Sequence, residues 1–134
     1  MRRENWEQHL DALMKDWQSR PFVWGQADCA QFALAVLRAV SGRDWAQISV
    51  QPYKTARGAR ALLQRLEAGD MPALADKMLG PRMPISYAQR GDIVSAACRF
   101  GPALGVCLGA HIALPGEDGL VYRPLSSAFA AWRI

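Results

Sequence analysis

The stretch PFVWGQADCAQFALAVLRAVSG, Pro21 to Gly42, decides how the chain is read. It opens on the turn-rich run Trp24-Gly25-Gln26-Ala27 and passes through Asp28-Cys29 into an apolar run. Asp28 is a favoured helix N-cap, and Gln31 stands three positions later, as in a capping box. Cys29 is then the first helical residue. Phe32, Val36, Leu37 and Val40 recur at helical spacing and give the helix a buried face, and Gly42 supplies its stop. A thiol at this position meets unpaired backbone N–H groups and the positive end of the helix dipole, which favour the nucleophilic thiolate. The alternative is that Cys29 is a small buried hydrophobe, as most free cysteines are. Position alone does not choose between them.

Working outward, residues 5–18 are expected to form an amphipathic helix capped by Asn5, with Trp6, Leu10, Leu13, Met14 and Trp17 on one face. His9 lies beside that stripe as a boundary residue, and Pro21 closes the segment. Arg43 to Tyr53 lacks periodicity and is expected as a loop. Thr55 to Glu67 reads as a second strong helix with an apolar face of Ala59, Leu62, Leu63 and Leu66. Its Arg57, Arg60 and Arg65, with Lys54 before it, are expected on a solvated face. A short helix from Pro72 to Met78 follows, ended by Gly80-Pro81.

The texture changes at Arg90. Gly91-Asp92 is a turn signal, with Asp92 shaping the entry to a β-run at Ile93–Cys98. Further runs at Leu104–Leu108, His111–Leu114 and Leu120–Arg123 are separated by Gly109-Ala110 and the loop Pro115–Gly119. Ser126–Trp132 is expected as a short closing helix or turn. Helices first and a meander afterwards make an α+β pattern, not alternating βαβ units. Cys98 and Cys107 fall in expected strands as small core residues.

The 134 residues suit one domain over 1–134, and 51% apolar with 21% charged residues is ordinary for a soluble globular chain. The basic start, MRREN, is followed by no apolar h-region, so no secretory signal is expected, and no run has the length of a membrane span. Three cysteines without such a signal argue for reduced thiols. With no CxxC and no His/Cys cluster, neither a zinc site nor another cofactor is expected. The net charge is +4, but the basic residues are spread along the chain and no nucleic-acid motif appears, so no nucleic-acid partner is expected.

Trp24-Gly25…Asp28-Cys29 leading into an apolar helix resembles the nucleophile segment of the NlpC-type cysteine peptidases, papain-like enzymes that cut peptide bonds in bacterial cell walls. Arg90-Gly91-Asp92-Ile93-Val94 resembles that family's Gly-Asp-hydrophobic strand start. Leu104-Gly105-Val106-Cys107-Leu108-Gly109 is similar to its Val-Gly-Ile-Tyr-Leu-Gly strand. The three stretches fall in the family's order across residues 21–124. The short length and the closing Ala130-Ala131-Trp132-Arg133-Ile134 resemble a compact variant encoded in phage tail modules.

The resemblance implies a papain-like core, with helices packed on a small antiparallel sheet, and Cys29 as nucleophile. It also implies a histidine base at the start of the second strand, with a third group to orient it. Two positions depart from the pattern. Ala103 stands where the base belongs, and Phe22 stands where a tyrosine hydroxyl helps hold the oxyanion. His111 is the candidate substitute base, but it falls about 16 Å from position 103 if Gly109-Ala110 is a tight turn. His9 reaches Cys29 only if the first helix crosses the site. Gln26 is a candidate oxyanion donor.

The implied reading is a phage tail-tip component, made in the host cytoplasm and carried in the virion tail. Its peptidase-like site is degenerate and its role mainly structural. The partners would be other tail proteins, with peptidoglycan as a further possible contact and Trp132 as the expected interface anchor. The alternative is an active peptidoglycan endopeptidase or amidase using Cys29 with a non-standard or partner-supplied base. A third reading is a small bacterial binding module with a buried cysteine.

Overall fold

The computed structural model describes residues 2–45, 53–99 and 101–134. Most of the loop expected from Arg43 to Tyr53 lies outside them. Four helices precede the sheet: α1 (Trp6–Trp17), α2 (Cys29–Ser41), α3 (Ala56–Arg65) and α4 (Met71–Leu79). Strands β1 (Ile93–Cys98), β2 (Gly101–Cys107), β3 (His111–Gly116), β4 (Gly119–Pro124) and β5 (Ala128–Trp132) form one sheet in the order β4-β3-β2-β1-β5. Every pairing is antiparallel, so the α+β expectation holds.

Asp28 caps α2 by accepting from the Gln31 N–H, and Gly42 ends it at φ 72°, as the sequence pattern dictates. Thr55 and Asp70 cap α3 and α4 through the N–H groups of Gly58 and Ala73. Asn5 does not behave as expected. It sits in the left-handed region at φ 61° and its side chain makes no cap bond. It turns the chain into α1, which is among the roles asparagine tolerates better than most residues.

Two more expectations are corrected. The loop expected at Pro115–Gly119 shrinks to a turn at Glu117-Asp118, because β3 runs through Gly116 and β4 starts at Gly119. The closing segment is not a helix. After a short 3₁₀ turn at Leu125–Ser127 it forms β5, which pairs along β1 and is bridged by Met83 on its other side.

Leu10, Trp17, Phe32, Val36 and Val40 of α1 and α2 pack on one face of the sheet against Ile93, Leu104, Val106 and Trp132. Val94, Ala96, Ile112 and Leu114 occupy the other face, covered by Met83, Ile85, Ala88 and Leu125. Trp132, expected at an interface, is fully buried and donates its indole N–H to Asp76 Oδ1 at 3.0 Å. Asp92 does more than shape a turn. Fully buried, it accepts from Arg2, from Arg133 and from the Gln89 N–H, tying segments distant in sequence to the start of β1. Among the described residues, no helix is long and apolar enough to cross a membrane, and no group of three or more His, Cys, Asp or Glu could hold a metal ion.

Candidate functional site

The entry to α2 is a compact hydrogen-bonded turn. Gly25 adopts φ 81° and presses so closely on the Tyr53 carbonyl that a Cβ there would collide with it. Its N–H donates to Asp28 Oδ2 at 2.8 Å, while Asp28 Oδ1 accepts from the Gln31 N–H at 2.9 Å. The Tyr53 hydroxyl donates to Asp28 Oδ2 at 2.6 Å. Asp28 is therefore a buried carboxylate with both oxygens engaged. Tyr53 is held well above the ordinary tyrosine value, first by burial and then by the Asp28 charge.

Cys29 follows as the first residue of α2, facing β2. The β2–β3 ladder is short, with Val106 opposite Ala113 and Cys107 opposite Ile112. Continuing this register puts Leu104 opposite Pro115, which has no N–H to give. The ladder stops there and the strands part. Just before they do, Gly105 lies against the Ala113 carbonyl and the Leu114 side chain, leaving no room for a Cβ. Pro115 thus leaves the Leu104 carbonyl without its ladder donor, and the Leu104 N–H lies against the Cys29 sulfur. The mouth of the resulting wedge is a cavity of about 910 Å³. Cys29, Asp28, Tyr53 and Ala103 line it, together with Phe22 and Trp24, which form an edge-to-face pair at 4.8 Å.

In this environment burial opposes the activation that a helix end favours. Part of Cys29 reaches the cavity, but burial of its sulfur pushes the thiol from 9.0 up to about 12. The Leu104 N–H and the residue's own N–H favour the thiolate, while the adjacent Asp28 charge and Cys98 oppose it. Desolvation outweighs the helix end. Cys107 is fully buried, as expected, with its thiol pushed up by burial. Cys98 is half-buried and lines the cavity, in contact with Arg123 Nη2 at 3.7 Å.

The other sequence candidates do not converge on Cys29. His111 is exposed at the start of β3, and its backbone pairs with Leu108. That places it five residues along the ladder from the Ala103 level, about 16 Å at strand spacing. His9 is exposed on α1. Neither histidine lines the cavity. Gln26 is exposed in the turn, with its backbone N–H bonded to the Val23 carbonyl, and does not line the cavity either. Tyr53, Arg60, Arg99 and Arg123, not singled out as site residues from the sequence, do line it.

A model of a domain of unknown function, DUF6950, matches residues 1–134. The chain belongs to the DUF6950 family. No curated protein and no solved structure gives a significant match. The chemistry open to this DUF6950 domain therefore follows from its own cavity. Its described lining includes a thiol that burial keeps protonated and a buried carboxylate already saturated with donors, groups that can bind and orient a ligand.

Proposed function

We propose that this DUF6950 domain is a phage tail-tip component with an NlpC-type, papain-like core, whose peptidase site is degenerate and whose role is mainly structural, through contacts with other tail proteins. One observation carries the reading. Two stretches with NlpC-like motifs, separated by about 75 residues of sequence, meet where Cys29 at the N-terminus of α2 lies against Leu104 of β2, and Ala103, just before Leu104, lines the same cavity as Cys29. At that meeting point the side chain beside Leu104 is the methyl group of Ala103, which accepts no proton. A nucleophile position kept without its base is what an ancestral hydrolase site becomes when binding outlasts turnover. The assignment to tail tips rests on the resemblance of the closing residues 130–134 to the compact phage variant.

The test has two readouts. Purified protein incubated with peptidoglycan should release no new stem-peptide fragments by mass spectrometry. Cleavage that Cys29→Ala abolishes would overturn the degenerate-site reading in favour of an active endopeptidase or amidase. Mass spectrometry of purified virions should find the chain in the tail fraction, and its absence there would sink the tail assignment.

A further inference from the structure

We propose that the cavity between β2 and β3 is a receptor for an extended acidic segment of a partner protein, clamped by Arg60 and Arg123. The inference rests on the non-catalytic reading above and adds the chemistry of the partner.

Charge is the first argument. Arg60, Arg99 and Arg123 line the cavity together with Asp28, Asp70 and Glu117, so the formal charges cancel. Their surroundings differ. Asp28 is buried and spends both oxygens on Gly25, Gln31 and Tyr53. Asp70 spends an oxygen capping α4 at the Ala73 N–H. Glu117, exposed in the β3–β4 turn, and the second oxygen of the exposed Asp70 stay open to solvent. Arg60 is exposed on α3 and makes no hydrogen bond or ion pair among the described residues. Arg123 is held in place. From β4 it reaches over the parted strands to donate to the Ala97 carbonyl at 2.7 Å and to Cys98. Fixed guanidinium groups bind carboxylates through paired, charge-assisted hydrogen bonds.

Shape is the second. The wedge is open because the inner edges of β2 and β3 have no ladder partner beyond Val106–Ala113. Strand alternation then turns the carbonyls of Pro102, Leu104 and Pro115 toward the gap, where Pro102 and Pro115 offer acceptors and no donors. An extended peptide brings the N–H groups such carbonyls need. A nucleic acid brings the negative charge but no such row of donors. Leu63, Met71 and Val121 supply apolar lining, and about 910 Å³ lies near the upper end of ligand-pocket sizes.

Fluorescence polarisation on the full chain tests this directly. The probes are a fluorescein-labelled peptide of alternating aspartate and valine, its lysine–valine counterpart, and a single-stranded oligothymidylate of similar length. The acidic peptide should bind and the lysine peptide should not. Arg60→Glu, an exposed substitution, and Arg123→Gln should each weaken binding at least about tenfold, with melting temperature checked in parallel. Equal binding of the two peptides, tighter binding of the oligonucleotide, or an unchanged affinity in Arg60→Glu would overturn the proposal. Mass analysis of the acidic peptide after incubation separates the two readings. A peptide bound and cut would end the non-catalytic reading and leave the receptor standing. A peptide neither bound nor cut would end the receptor alone.

Discussion

The Tyr53 hydroxyl lies 2.6 Å from Asp28 Oδ2, so a residue 25 positions away completes the cap of the helix that carries Cys29. The bond is buried and its acceptor is a carboxylate, the circumstance in which a single hydrogen bond contributes most. Tyr53→Phe keeps the ring and deletes the donor. It should cost about 1.5–3 kcal/mol in urea unfolding. A loss below about 0.5 kcal/mol would show that Gly25 and Gln31 satisfy Asp28 on their own.

Cys29 should be a slow thiol. With its thiol pushed up to about 12 by burial, its thiolate fraction at neutral pH lies orders of magnitude below that of an ordinary cysteine. Iodoacetamide labelling, mapped by peptide mass spectrometry, should modify Cys29 at least about a hundredfold more slowly than a free cysteine at pH 8. Labelling at the rate of a free thiol would show that the sulfur is solvated.

The same burial fixes a pH dependence of stability. Cys29 and Tyr53 both hold their protons more tightly folded than unfolded. Above pH 9 the unfolded chain loses these protons first, so it binds fewer than the native chain and stability falls as pH rises. The contribution is complete below the ordinary thiol value of 9.0 and is lost as pH climbs toward about 12 for Cys29 and higher for Tyr53. Urea midpoints across pH 8 to 11 should decline, less steeply in a Cys29→Ala, Tyr53→Phe double variant. An equal decline in both proteins would place the loss elsewhere.

Asp76 joins α4 to the last strand. It accepts from Arg82 and from the buried Trp132 indole, and the Arg82 hydrogen bond, foremost, holds its carboxyl below the usual carboxylate range. That stability is present above the ordinary carboxylate value and is lost as pH falls through the lowered one. Arg82 and Asp76 are each more than a third exposed, so their ion pair contributes little. The indole is the larger stake. Asp76→Ala leaves its N–H unpaired in the core and should cost about 1–3 kcal/mol by thermal or urea unfolding, with near-ultraviolet dichroism of tryptophan changed. An unchanged midpoint would mean that another acceptor or a water takes the indole N–H.

What the sequence made legible follows from where the determining contacts lie. α2 could be read in full because its cap, its apolar spacing and its stop are all local. β5 could not, since Ala128-Phe129-Ala130-Ala131-Trp132 shows no alternation of polar and apolar residues and little intrinsic preference for a strand. Its conformation comes from pairing with β1 and from burial at all but Phe129. The site divides the same way. The position of Cys29 at a helix end was readable, but the desolvation that silences its thiol depends on packing against β2. Tyr53 and Arg123 reach the cavity through tertiary contacts that leave no periodic trace. Pro115 was readable as a breaker, but only the register reveals that it leaves the Leu104 carbonyl without a ladder donor.

Ala103→His probes the identity of the site most sharply. If position 103 is where an ancestral base stood, an imidazole there meets the Cys29 thiol in the cavity that both residues line. It would then accept the thiol proton and give an ion pair in place of a buried neutral thiol. Iodoacetamide labelling of Cys29 should accelerate at least about tenfold over the parent chain, and the gain should fade as pH drops and the imidazole itself takes a proton. Peptide cleavage need not return with it, because Phe22 still lacks a hydroxyl for the oxyanion and no group is in place to orient the new imidazole. An Ala103→His chain that stays folded, with Cys29 no faster than before, would show that residue 103 does not face the thiol as a base must. The NlpC-like resemblance would then describe local sequence without shared chemistry.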